Sequence, residues 1–266
     1  MSSAKPPFVL VFDVDGTLID SRGYLNHSVV ELLCLGIIAR EHGIVSAILI
    51  LTNNVFPQNR NGTQGHVMEW LITILVPKII DYIVNHRYIE YGYRKTESKI
   101  FNKASQIISD KYPNKNVKNV KNIMNNNEIT KRMFSYKIFD EIFDKKAREV
   151  SKISRENKSI HSVRAMLNKA RKNVSNIGQR VFFINDDRTH RIKKEIHENQ
   201  YIHIDPMFSL SQNLKTRMGQ GQATQENIHA ELKRVSNNIN SKPRMTELKR
   251  ILKDIIKKKD ININNS

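Results

Sequence analysis

The apolar positions of the chain fall into two patterns. Short unbroken runs stop abruptly at polar residues: Phe8-Val9-Leu10-Val11-Phe12 before Asp13, Ala47-Ile48-Leu49-Ile50-Leu51 before Thr52, and Val181-Phe182-Phe183-Ile184 before Asn185. Tyr201-Ile202-His203-Ile204 before Asp205 is a fourth. Runs of this length, largely without polar alternation, predict strands buried on both faces of a parallel sheet. Elsewhere apolar residues recur at offsets of three and four, which predicts helices over 28–42, stopped by Gly43, over 66–84 and over 159–172. Strand, helix, strand and helix in succession predict an α/β fold with a doubly wound, mostly parallel sheet.

The texture changes between about 88 and 155, where Lys, Asn and Ile dominate and residues 114–127 read NKNVKNVKNIMNNN. An exposed loop or irregular insertion is expected there, with a helical pattern returning over 135–152. Past Pro206, Gly219-Gln220-Gly221-Gln222 reads as a linker, followed by helices over 224–235 and 245–259. In the last of these, Leu248, Ile251, Leu252, Ile255 and Ile256 share one face among Lys249, Arg250, Lys253, Lys257, Lys258 and Lys259. A basic amphipathic helix either packs on a core and leaves its charges to water or meets an acidic surface, and both readings stay open.

The length of 266 residues is enough to bury a sizeable core. No apolar stretch approaches the roughly 18 residues that a membrane helix needs, and no membrane contact is expected. The first seven residues and the short apolar run after them lack the pattern of a secretory signal. One cysteine, Cys34, cannot close an internal disulfide, which points to an intracellular, reducing compartment, cytoplasmic or nuclear. Its neighbours Leu32, Leu33 and Leu35 place it in a helix core.

The net charge of +18 is concentrated: residues 85–180 hold 23 Lys+Arg against 9 Asp+Glu, and residues 207–266 hold 12 against 5. A phosphorylated substrate, with nucleic acid or an acidic protein held through 88–180 and 224–259, is the partner class that such blocks suit. Nine histidines show no zinc-ligand spacing. Trp70, Tyr88, Tyr91 and Tyr93 read as packing residues, and His190 as a surface residue.

Open α/β sheets bind ligands beyond the carboxyl ends of their strands. The residues there are Asp13 and Asp15 after the first run, Thr52 and Asn53 after the second, and Asp186 and Asp187 after the third. Carboxylates crowded onto one edge repel unless a cation or a shared proton holds them. An all-oxygen set of this kind suits Mg²⁺ completed by water and a phosphate.

Phe12-Asp13-Val14-Asp15-Gly16-Thr17-Leu18 resembles the DxDGT motif of the haloacid dehalogenase (HAD) superfamily of phosphohydrolases. Ile50-Leu51-Thr52-Asn53 and Phe183-Ile184-Asn185-Asp186-Asp187 resemble that superfamily's second and fourth motifs, in the right order. The resemblance covers roughly residues 8–206, and implies a catalytic domain over 1–206 carrying the basic insertion, then a linker and basic helical extension over 207–266. It implies Asp13 as the nucleophile that forms an aspartyl-phosphate, Asp15 as general acid and base, and Thr17 as a support of the turn. Thr52 and the amide of Asn53 would bind phosphoryl oxygens, and Asp186, supported by Asp187, would hold Mg²⁺ with Asp13 and Asp15. The lysine of the third motif is matched best by Lys158, 28 residues ahead of Asp186; Lys95, Lys99 and Lys169 are alternatives. More loosely, the chain is similar to the cap-poor branch with the carboxy-terminal-domain phosphatases, although that branch carries an acidic or polar residue where Gly16 stands. The implied activity is phosphomonoester hydrolysis; a basic nucleic-acid-binding protein on the same scaffold is the alternative.

Overall fold

The computed structural model describes residues 7–19, 25–53, 74–85, 95–110, 138–143, 158–187, 190–204, 220, 221, 224, 227, 230 and 243–263. Strands β1 (Phe8–Phe12), β2 (Val45–Leu51), β3 (Glu141–Phe143), β4 (Val181–Asn185) and β5 (Tyr201–His203) form one sheet in the order β3-β2-β1-β4-β5. Every neighbouring pair is parallel, and Phe12 stands beside Ile50 on one side and Ile184 on the other. The chain steps outward from β1 through β2 to β3, then returns to the far side of β1 for β4 and β5. The order therefore reverses between β1 and β4, where an open α/β sheet leaves a crevice.

The described helices are α1 (His27–Glu41), α2 (Val76–Asn85), α3 (Lys95–Asp110), α4 (Ile160–Lys169), α5 (Ile192–Glu195) and α6 (Pro243–Ile263). Side chains alternate across the strands, so both faces of β1 and β2 are apolar. Leu10, Phe12, Ile48 and Ile50 pack toward α1, with α2, α3 and α6 joining the same cluster. Val9, Val11, Leu49, Leu51 and Phe183 pack on the other side with Val163, Met166 and Leu167 of α4 and Ile192 of α5. This is the predicted doubly wound α/β fold, with every strand pair parallel.

Helix α1 is buried from His27 to Ala39 because the sheet covers one side of it and α3 and α6 cover others. Gly36 permits the close approach: a Cβ there would lie 2.6 Å from Leu10 Cδ1. At the end of the helix Gly43 turns left-handed (φ 67°), its N–H donates to the Arg40 carbonyl at 3.0 Å, and Ile44 N–H donates to the Ala39 carbonyl at 2.9 Å. That is the paired closure expected of a glycine just past a helix end.

Two expectations for residues 88–155 are corrected in part, at the residues described there. Part of the expected irregular insertion is helix α3, whose Phe101, Ala104 and Ile108 enter the core. The helical pattern over 135–152 contains strand β3 instead, paired with β2 from Leu49↔Glu141 to Leu51↔Phe143. Long-range bonds decide this. Asp140 accepts from Ile48 N–H at 2.8 Å and from Arg40 at 3.0 Å, and its own N–H donates to the Ile48 carbonyl at 2.8 Å. Three residues so tied to the sheet edge extend whatever their local periodicity. The low-complexity stretch 114–127, the start of the 66–84 helix, Trp70, Tyr88, Tyr91, Tyr93 and the 207–219 part of the linker lie outside the described residues. So does most of the helix expected over 224–235.

Helix α6 packs on α1 through Met245, Leu248, Leu252 and Ile256, all in the same hydrophobic cluster. Burying two leucines alone contributes roughly 3–6 kcal/mol before chain entropy is charged. Of the two readings of this basic helix, packing on the core is the observed one. No helix among the described residues is long and apolar enough to cross a membrane.

Candidate active site

The crevice between β1 and β4 collects the acidic strand ends. Asp13 leaves β1 with its N–H donating to the Ile184 carbonyl of β4 at 3.0 Å, so the two strand ends are flush. The next residues turn back at once: the Val14 carbonyl accepts from Leu18 N–H at 2.8 Å and Ile19 N–H at 3.1 Å, and Gly16 adopts φ 69°. Glycine is the residue that takes this conformation without strain. Val14 N–H also donates to Asp13 Oδ1 at 2.7 Å, which orients the carboxylate. The Thr17 hydroxyl is buried within the turn with no hydrogen-bond partner among the described residues.

Lys158 reaches this carboxylate from the opposite side of the crevice. Its Nζ lies 2.6 Å from Asp13 Oδ2, and the two residues are 1% and 5% exposed. A buried ammonium is tolerable only when paired, and Asp13 is that partner. Lys158 sits just ahead of α4, where its carbonyl accepts from Ile192 N–H at 3.0 Å and Ile160 N–H donates to Glu195 at 2.6 Å. Its ammonium also lies 5.6 Å from the centre of the Phe183 ring on β4. Of the alternative lysines, Lys169 is 55% exposed and pairs with Glu141 at 3.1 Å. Lys99 is exposed on α3, and the side chain of Lys95 lies outside the described residues.

Thr52 follows β2, is buried, and its hydroxyl stands 3.5 Å from Asp15 Oδ2. Asn53 is half-buried beside it. Asp186 follows β4; burial pushes its carboxyl up to about 6, the negative charges of Asp13 and Asp187 push the same way, and Lys158 and a backbone hydrogen bond oppose them. Lys158 thus leaves the acidic cluster incompletely neutralised. Asp187 faces elsewhere: its carboxylate is 3.4 Å from His190 Nε2, and its carbonyl accepts from the Tyr201 hydroxyl and from Asn185 Nδ2.

His190 is therefore buried, not the surface residue expected. Its spacing of three from Asp187 was the available signal. Tyr201 and Asn185 carried no sequence signal as site residues. Cys34 lies buried in α1, where burial pushes its thiol well above the ordinary range.

Among the described residues no three acidic, histidine or cysteine side chains stand together as a ready-made metal cage. Mg²⁺ does not demand one, since it keeps several waters and takes one or two carboxylates from the protein. Asp13 and Asp186, at the adjoining ends of β1 and β4, are the carboxylates that would meet that requirement. Comparison with known proteins finds no matching family model, no matching curated protein and no matching solved structure.

Proposed function

We propose that this protein is a Mg²⁺-dependent phosphomonoester hydrolase of the HAD type that works through an aspartyl-phosphate on Asp13. The observation that carries the reading is the buried Lys158–Asp13 ion pair in the β1/β4 crevice, beside an Asp186 carboxyl that burial first, and then the charge of Asp13, pushes up. A structural ion pair needs no third carboxylate against it; a site built to receive a phosphoryl group and a cation does.

In the reaction an Asp13 carboxylate oxygen bonds to phosphorus as the bond from phosphorus to the ester oxygen breaks, and Asp15 gives its proton to the departing oxygen. Asp15 then takes a proton from water, the water oxygen bonds to phosphorus, and inorganic phosphate leaves with Asp13 restored. Lys158 neutralises charge on the phosphoryl oxygens and holds Asp13 in place, while Thr52 and the Asn53 amide donate to the same oxygens. Mg²⁺, bound by the carboxylates of Asp13 and Asp186 and the carbonyl of Asp15, would supply Lewis-acid stabilisation of that charge. Before substrate enters, the Thr52 hydroxyl faces Asp15 at 3.5 Å, and its one hydrogen turns to a phosphoryl oxygen when that arrives. Asp187 supports the site from behind through His190.

The substrate we infer is a polyanion, either a phosphoprotein or the phosphorylated end of a polynucleotide. Exposed Arg164 on α4, and Lys193 and Lys194 on α5, belong to the two elements that meet at the Lys158 turn. They steer negative charge toward the crevice, in company with the basic residues of 85–180. The same cations support a second reading, a nucleic-acid-binding protein that uses the fold as scaffold. The deciding experiment is Mg²⁺-dependent phosphate release from an aryl phosphate by the wild type, an Asp13→Asn variant and an EDTA control. Release that needs both metal and Asp13 supports the hydrolase. No release, with salt-sensitive polynucleotide binding that survives Asp13→Asn, supports the scaffold.

A further inference from the structure

Tyr201 opens β5 and is 1% exposed, and its hydroxyl bonds residues at and just past the end of β4. It donates to the Asp187 carbonyl and lies 3.0 Å from Asn185 Nδ2, which donates to it. The same amide nitrogen donates to the Asp187 carbonyl, also at 3.0 Å. Two buried donors thus converge on one carbonyl, and each also bonds the other. The amide has a single workable orientation: flipped, its oxygen would face the Asp187 carbonyl oxygen and the phenol would lose its donor. Among the described residues Asn185 Oδ1 is buried without a partner, so the amide is retained at a cost that a leucine would avoid. The ring acts as well, tilted at 50° against Phe183 with centres 5.7 Å apart, beneath the ring that carries the Lys158 ammonium.

We infer that Tyr201, together with Asn185, is a positioning residue of the site, its hydroxyl holding the Asp186-Asp187 turn so that Asp186 faces Asp13. The catalytic consequence rests on the phosphohydrolase reading; the hold on the turn does not.

The test is Tyr201→Phe, which removes one oxygen and keeps the ring on Phe183. Hydrogen exchange of the amides at 186 and 187 is expected to accelerate about five- to tenfold, the factor for one lost hydrogen bond, with α1 and β2 unchanged. Mg²⁺ titrated into the apoprotein should bind weaker by a similar factor. Turnover of an aryl phosphate should then need more Mg²⁺ while its KM stays put, a split that general loosening of the fold would not produce. Asn185→Leu should reproduce the exchange effect and serves in its place if Tyr201→Phe does not fold. Unchanged exchange at 186 and 187 in a folded variant overturns the inference. If the wild type neither binds Mg²⁺ nor releases phosphate, the phosphohydrolase reading fails, and the exchange rates alone judge Tyr201.

Discussion

Replacing Glu31 by leucine should destabilise the protein far more than replacing its partner Lys249 by methionine. Glu31 is buried in α1 and accepts from Lys249 at 2.5 Å and Lys253 at 2.9 Å. Burial pushes its carboxyl up, but the two ammonium groups and their hydrogen bonds prevail and hold it below its ordinary value. Lys249 is 5% exposed and also donates to the Ser28 hydroxyl at 2.8 Å. Without Glu31 its ammonium stays buried and loses that carboxylate, at a cost of about 3–5 kcal/mol. Without Lys249, Glu31 keeps Lys253, whose side chain is 35% exposed and free to adjust; the expected loss is about 1–2 kcal/mol. The double variant has no buried charge left to compensate and should return to within about 1 kcal/mol of wild type. Urea unfolding of the four proteins followed by circular dichroism measures this cycle, with a coupling of about 2 kcal/mol or more expected. Equal losses in the two single variants, or a double variant that simply adds them, would refute the reasoning. The charges would then be solvated, and α6 would be held by its leucines alone.

Three further outcomes are expected. His27, whose Nδ1 lies 2.8 Å from the Tyr82 hydroxyl, is held down to about 4, chiefly by burial and also by Lys249, against the pull of Glu31. The unfolded chain takes up this proton near 6.5 and the folded chain only near 4, so stability is intact above pH 6.5 and declines as pH falls toward 4. The full loss is about 3 kcal/mol, and His27→Gln should flatten chemical denaturation midpoints across that window. Gly36→Val should cost about 1–3 kcal/mol despite valine's better helix propensity, because Leu10 must move; an unchanged melting temperature would show that the helix shifts freely. Lys158→Met should lower phosphate release at least about 100-fold and also destabilise the fold by about 3 kcal/mol, as Asp13 loses its partner. The double variant Asp13→Asn with Lys158→Met should regain stability and no activity, and a double variant less stable than Lys158→Met would contradict the ion-pair argument.

The fold was legible where the determining information is local. Strands β1, β2, β4 and β5 announce themselves because each sits in a largely apolar run, buried on both faces in the central strands, that ends at or near a polar residue. The site inherits this legibility: Asp13, Thr52 and Asp186 are adjacent in space because each follows a strand whose end is visible in the sequence. Strand β3 was hidden because it is three residues long and its pairing is dictated by Asp140 bonding back to Arg40 and Ile48. No periodicity within 135–152 encodes a contact to residues so far up the chain.

Lys158 marks the boundary between the two cases. In the sequence it is one of four lysines compatible with the same task, since a segment so rich in lysine offers a cation at every turn. Lys169 has a ring and a carboxylate too, Phe143 and Glu141, but its side chain is 55% exposed; what separates Lys158 is burial, between Phe183 on β4 and Asp13 just past β1. Phe183 and Asp13 sit on or just past central strands, both are buried, and neither is near Lys158 in the chain. The Tyr201 and Asn185 pair extends the point, because a tyrosine at the head of a strand and an asparagine at the end of another are ordinary choices taken singly. Only the parallel register that sets Asn185 beside His203, two residues beyond Tyr201, makes them donors to the same carbonyl. The chemistry-bearing residues are thus written locally, and the residues that aim them are written in the pairing of the sheet.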